Sequence, residues 1–188
     1  VRVDRQVKGT LFVDYVRMLR ANKDADWSRY LQPQDLTLLV QRVDPAGWYP
    51  MESFERMGVA ILAEVAQGDL RAVRAWGQAQ TEWITQTQPG LLANGDPTES
   101  LMRFQVMRNG FFDYTAVEFD YVYDGEAVLR VAYGMGPVAE EAASLQTLGF
   151  FEKLLELAGA QKVEAWFSAE SWKGAPVTTL QLRWATPG

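Results

Sequence analysis

The hydrophobic period of this chain changes near residue 116, and that change restricts the folds open to it more than any composition figure. Before it, apolar residues recur at helical spacing. Val7, Leu11, Phe12, Tyr15, Val16 and Leu19 would share one helix face, with Lys8-Gly9-Thr10 at its start. Trp27, Tyr30 and Leu31 suggest a short helical turn closed by Pro33. Leu36 to Val43 is apolar but too short to decide between helix and strand, and Asp44-Pro-Ala-Gly-Trp-Tyr-Pro50 reads as a loop. Met51, Phe54, Met57, Ile61, Leu62 and Val65 form a second helical face that Gly68 ends, and Asp69 is placed to cap the next helix. That helix carries Leu70, Val73, Trp76, Gly77 and Trp83. After breaks at Pro89-Gly90 and Asn94-Gly-Asp-Pro97, Glu99 to Met107 reads as one more, ending near Asn109-Gly110.

Beyond the change the period is two. Val117, Phe119, Tyr121 and Tyr123 are expected on one strand face, Asp124-Gly125 is a hairpin turn signal, and Ala127 to Tyr133 is the partner strand. A long helix follows, with Val138, Ala142, Leu145, Leu148, Phe151 and Leu155 on its buried side, and Gly159 ends it. Lys162–Ser168 and Pro176–Trp184 read as a second hairpin around Trp172-Lys-Gly174. The expectation is an α+β protein: a helical part over residues 1–112 and an antiparallel β-β-α-β-β part over 113–188, joined in one domain without repeat or linker.

Two residue types are missing, and their absence removes whole classes of chemistry. The 188 residues contain no Cys and no His. A disulfide framework, a Cys/His zinc site, a thiol nucleophile, a histidine general base and a His- or Cys-ligated heme are thereby excluded. The formal charge of -6, from 18 Lys+Arg and 24 Asp+Glu, is the wrong sign for a general nucleic-acid binder, whose phosphate contacts need clustered cations. The most apolar run, Val59 to Ala66, is far shorter than the ~20 residues of a membrane span and is interrupted by Glu64. The opening Val-Arg-Val-Asp-Arg-Gln has no apolar core of the signal-peptide kind, so a cytoplasmic location is expected.

Few residues suggest catalysis. Gly134-Met-Gly136 lies between a strand and a helix, where backbone N–H groups can cradle a phosphate, but Glu140-Glu141 in the first helical turn would repel one. Glu118 and Asp120 share the strand face expected to meet solvent, and Ser168, Ser171 and Thr178 have no histidine to activate them. Neither catalytic nor metal-ligating residues are assigned. Seven Trp, seven Tyr and nine Phe are abundant for this length. Rings at helical spacing ordinarily fill a core, but they also line pockets for small apolar molecules.

The order of elements and several local matches then point to one family. Val7-Lys-Gly-Thr-Leu-Phe-Val-Asp-Tyr-Val-Arg-Met-Leu-Arg20 resembles the opening helix of heme–nitric oxide/oxygen binding (H-NOX) domains, and Trp48-Tyr-Pro50 is similar to the aromatic–proline entry to that family's second helical stretch. The β-β-α-β-β half is similar to the same part of H-NOX domains, and equally to that of 4-vinyl reductase and vesicle-tethering ligand-binding domains. The layout is also similar to that of a set of myxobacterial proteins. The resemblance implies an H-NOX-like fold and a sensory role.

The family's heme residues do not carry over. The resemblance implies a proximal histidine on the last N-terminal helix, where this chain has Leu101 to Tyr114 without one. It also implies a Tyr-x-Ser-x-Arg clamp for the propionates, and Tyr133-Gly-Met-Gly-Pro137 keeps only Tyr133, with Met135 and Pro137 at the other two places. No heme or other cofactor is therefore expected. The leading expectation is a heme-free, non-catalytic signalling domain that binds a small apolar ligand or a protein partner. Met102, Phe104, Met107, Phe111 and Tyr133 would border the pocket by shape and hydrophobic contact. One alternative is a filled-core interaction module that captures a partner or a second copy of itself. The other is an enzyme using carboxylate or tyrosine acid–base groups.

Overall fold

The computed structural model describes residues 4–186. By their contacts these residues form two units, one reaching to Leu70 and including Asn109–Thr115, the other made of Arg71–Arg108 and the chain from Ala116 onward. The helices of the N-terminal stretch are thus shared between the two, because the fourth and fifth helices group with the sheet.

In the first unit, β1 (Gln6–Lys8) leads directly into α1 (Gly9–Ala21) and pairs antiparallel with β2 (Trp48–Pro50), Val7 opposite Tyr49. Gly9 is needed at the join, since a Cβ there would lie 2.0 Å from the Asp44 carbonyl oxygen. The apolar spacing of α1 buries Phe12, Val16 and Leu19 at 1% exposure or less. Phe12 stacks on Tyr49 with ring centroids 4.5 Å apart, and Tyr15 on Phe54 of α3 (Met51–Glu64) at 4.2 Å. Residues 109–115 close this unit: the Lys8 N–H donates to the Phe111 carbonyl at 2.8 Å and the Gln6 N–H to Asp113 Oδ1 at 2.7 Å.

Pro33 opens a helix rather than closing one. It sits in the first turn of α2 (Pro33–Val40), after a 3-10 turn over Trp27–Arg29. Proline is favoured there because its missing N–H would have no helical partner. Gln32 and Asp35 cap the helix reciprocally, the Gln32 N–H donating to Asp35 Oδ2 at 2.8 Å. Asp35 is fully buried and takes a bidentate pair from Arg56 of α3, at 2.6 Å to Nε and 2.9 Å to Nη2.

The second unit holds most of α4 (Leu70–Thr87), α5 (Pro97–Met107), α6 (Pro137–Leu157) and a four-stranded sheet. The strands are β3 (Val117–Tyr123), β4 (Glu126–Val131), β5 (Gln161–Ala169) and β6 (Thr178–Ala185), in the order β3-β4-β6-β5 and antiparallel throughout. Gly125, at φ 87, makes the hairpin turn that its Asp-Gly sequence signals. Phe119, Leu129 and Leu180 lie side by side on one sheet face, buried together, and α6 packs against β5 and β6. The fold is α+β, with the expected β-β-α-β-β order.

Two expectations for this unit need correction. Tyr121 and Tyr123 do not share the buried face of Val117 and Phe119. Phe119 pairs with Leu129 but Tyr121 pairs with Val128, so a β-bulge at Asp120 turns the rest of the strand over. The two tyrosines stand exposed by 37% and 62% and stack on each other at 5.1 Å. Val138 is 57% exposed, because Ala139 and Glu140 take the inward side of the first helical turn.

Helices α4 and α6 cross at reciprocal glycines. A Cβ on Gly77 would lie 2.0 Å from the Gln146 carbonyl oxygen, and one on Gly149 would lie 2.1 Å from that of Arg74. The Thr81 hydroxyl bridges the crossing, 2.9 Å from the Gly77 carbonyl and 3.0 Å from the Phe150 carbonyl. Arg74 forks onto the Glu152 carboxylate beside it. Among the described residues no helix is long and apolar enough to cross a membrane.

Candidate functional site

The segment that joins β4 to α6 is Ala132-Tyr-Gly-Met-Gly136, and its backbone is held by a side chain from the helix it precedes. Gly134 takes φ 70, a left-handed conformation that side chains disfavour. Glu140, only 5% exposed, reaches back into the loop. Its Oε1 accepts the Tyr133 N–H and its Oε2 the Met135 N–H, each at 2.8 Å. Donors that a phosphate loop would offer to an anion are here occupied by the protein's own carboxylate. This arrangement argues against the phosphate-binding reading of the glycine pair.

Tyr133 points its hydroxyl at Thr147 of α6, 2.5 Å away. Thr147 itself donates to the Ala143 carbonyl at 2.8 Å, which leaves Tyr133 as the donor between them. Burial pushes the Tyr133 hydroxyl well above its ordinary pKa, the nearby Glu140 charge adds to the rise, and the Thr147 hydrogen bond opposes it. Tyr133 is thus a neutral hydrogen-bond donor, unsuited to act as a base or as a tyrosinate ligand.

A cleft of about 220 Å³ opens beside this loop. Val131, Met135, Pro137 and Val177 give it apolar walls, and Glu140, Ser171 and Trp172 also line it. Ser171 and Trp172 belong to a 3-10 turn between β5 and β6, followed by Gly174 at φ 102. The Ser171 N–H and hydroxyl both meet the Thr178 hydroxyl, at 3.1 and 2.9 Å, which fixes the start of the turn. Trp172 packs edge-on against Phe167 at 5.2 Å. Its indole N–H is buried without a hydrogen-bond partner. Such orphan donors are uncommon in folded proteins, and each costs about 1–3 kcal/mol of desolvation.

The residues expected to border a pocket fall in different places. Phe104 of α5 is buried within a cluster of rings, 4.8 Å from Phe151, 5.5 Å from Phe150 and 6.3 Å from Phe119. Met102, on the same helix, is 45% exposed, and Met107 is half-buried. Phe111 is buried in the first unit, its carbonyl bound to Lys8. Tyr133 adjoins the cleft through Gly134. Val177 and Trp172 went unread as cleft residues because only the pairing of Val131 with Thr178 brings their turn to the end of β4. The one signal available was the Trp-Lys-Gly turn itself. Glu118 and Asp120 form surface ion pairs with Arg130, at 3.0 and 2.7 Å. No group of three or more Asp or Glu among the described residues is arranged to hold a metal ion.

No protein-family model and no curated protein matches the sequence. Solved structures do match, over nearly the whole chain. The Fe(II) unliganded H-NOX protein from K. algicida aligns at 13% identity and TM-score 0.64, covering 96% of this chain and 97% of that one. An oxygen-binding H-NOX domain related to soluble guanylate cyclases, in its oxygen complex, gives 11%, 0.62, and 96% of both chains. The H-NOX protein from S. oneidensis in the Fe(II)NO ligation state gives 11% and 0.63, with 95% of this chain and 99% of that one. The fold is H-NOX-like.

Proposed function

We propose that this chain is a heme-free, non-catalytic sensory module that takes up a small, largely apolar ligand in its sheet-containing unit. The observation that carries the reading is a mismatch. An H-NOX-like fold extends over at least 95% of the chain, yet its 188 residues include no His or Cys to hold the iron. Two groups at the β4–α6 loop speak against a heme there: the buried Tyr133 is kept neutral and bonded to Thr147, and the loop that would meet an anionic group is filled by Glu140. Carboxylates suited to acid–base work are absent from the cleft apart from Glu140, whose two oxygens are committed to backbone N–H groups. That commitment supports a non-catalytic role. Titration of the purified protein with hemin tests the reading. The expected result is the broad spectrum of free or loosely adsorbed hemin; a sharp Soret band saturating at one equivalent would overturn it.

A second reading rests on the outer face of the sheet. The bulge at Asp120 displays Tyr121 and Tyr123 on the sheet face that also carries the 38% exposed Trp166, at the opposite edge with Val128 and Gln181 between, and rings exposed in this way suit a protein partner or a second copy. Sedimentation velocity of the wild type and of Tyr123→Ser separates the two readings. A self-associating wild type that Y123S dissociates favours the interaction module, and two monomers favour the ligand-binding one.

A further inference from the structure

We propose that the outer face of the four-stranded sheet is the interface of a homodimer. A second copy stacks on it about a two-fold axis parallel to the strands, so that Glu126 meets Arg183 of the partner subunit and Tyr121 meets the partner's Trp166. This deepens the second reading above, and rests on it only in taking the exposed rings as a contact surface.

The register of the ladder arranges this face in rows. Alternation turns Ala127, Leu129, Leu180 and Leu182 inward, where they are buried. That leaves Tyr123, Glu126, Arg183 and Glu164 in one row across the outer face, and Tyr121, Val128, Gln181 and Trp166 in the next. A third row begins with Glu118 and with Arg130, which holds both Glu118 and Asp120. The Arg183 guanidinium carbon stands 5.4 Å from the centre of the Trp166 ring. Tyr, Trp and Arg are the residues that most often dominate the binding energy of an interface.

The edges of the sheet are poorly suited to extension. β3 bulges at Asp120 and β5 is irregular near both ends, with Lys162 at φ 49, and bulges deter edge-to-edge pairing. The face has no such guard, and its charges fit a copy of itself. An axis parallel to the strands reverses their order, setting β3 over the partner's β5 and β4 over the partner's β6. Glu126 then meets Arg183 of the partner subunit, twice by symmetry, and the Tyr123 hydroxyl can donate to Glu164 of the partner subunit. In these two rows no carboxylate faces another. An axis across the strands, through the Tyr121 row, would instead bring Glu126 to an arginine that already holds two carboxylates. By strand spacing and rise the face is roughly 20 Å on a side. Stacking two buries on the order of 1,000 Å², the low end for a specific interface, so the dimer is a weak one.

The test is complementation between two variants, read by sedimentation velocity of the full chain. Wild type should show a concentration-dependent monomer–dimer equilibrium. Glu126→Arg alone and Arg183→Glu alone each set like charges together at both symmetry-related contacts, and each should self-associate at least about ten-fold more weakly. Mixed in equal amounts, the two variants have an Arg–Glu pair at one contact and the natural pair at the other. A heterodimer should therefore form with an affinity within about three-fold of wild type. Repair inside one chain cannot produce that result, and its appearance shows that both variants are folded. A wild type that dimerises while its variants fail to complement would overturn the proposal and leave the interaction reading standing, as would variants that associate as well as wild type. A wild type that stays monomeric at its highest soluble concentration would overturn the proposal and favour the ligand-binding reading.

Discussion

Replacing Gly149 with alanine tests the packing on which the second unit depends. The new Cβ would sit 2.1 Å from the Arg74 carbonyl oxygen, a backbone atom that cannot rotate aside. Relief to ordinary contact requires α4 and α6 to part by about 1 Å or more, which a close-packed interior resists. Two effects compete. Alanine is the better helix former by about 1 kcal/mol, which favours the variant. Against it stand overpacking, at about 3 kcal/mol for an unyielding neighbour, and loss of the Thr81 bond to the Phe150 carbonyl, at about 1 kcal/mol. The net expectation is destabilisation by about 3 kcal/mol, or a fall in Tm of roughly 6–12 °C for a chain of this length. Gly90→Ala is the control, because nothing lies within 4 Å of its added Cβ, and its effect should stay within about 0.5 kcal/mol. Thermal unfolding followed by circular dichroism and calorimetry measures both. A G149A protein as stable as the wild type would mean that helix propensity outweighs the clash, and would refute the reciprocal glycine crossing.

Three more perturbations have definite outcomes. Burial alone pushes the Asp35 carboxyl up, but hydrogen bonds from Arg56, Ser53 and the Gln32 N–H outweigh it and hold the carboxyl below its ordinary value. Its contribution is therefore present above the unfolded-state pKa and lost as pH falls from about 5 toward 2; urea midpoints should drop over that range in the wild type and much less in Asp35→Asn. Tyr133 has the opposite sign, being a raised acid whose contribution is intact below about pH 10 and lost above it as the unfolded chain ionises. Tyr133→Phe should accordingly show a shallower loss of stability between about pH 10 and 12, at a cost near 1 kcal/mol at neutral pH. Glu140→Gln offers one oxygen where two N–H groups need acceptors, so its urea midpoint should correspond to a loss of about 1–3 kcal/mol, and an unchanged midpoint would contradict the paired Glu140 bonds to the loop.

Elements with strong local signals were legible in the sequence. The α1 face, the Asp124-Gly125 turn and the glycines at 68, 159 and 174 could be read because helical period and positive φ leave their mark on neighbouring residues. What was not legible depends on distant partners. Pro33 looked like a stop because the capping pair that makes it a start uses Gln32, an uncommon residue at that position. The strand Trp48–Pro50 exists only through its pairing with Gln6–Lys8. Alternation through Tyr123 was sound as a pattern, but a bulge inserts one residue without changing which residues are apolar. The cleft joins residues about forty positions apart, and a single sequence carries no trace of that contact.

The central claim is an H-NOX-like fold that works without iron, and mass spectrometry under native conditions, compared with the denatured mass of the same preparation, addresses it most directly. The account predicts either equal masses or a difference belonging to a small organic molecule. A loss equal to one heme on denaturation would contradict it.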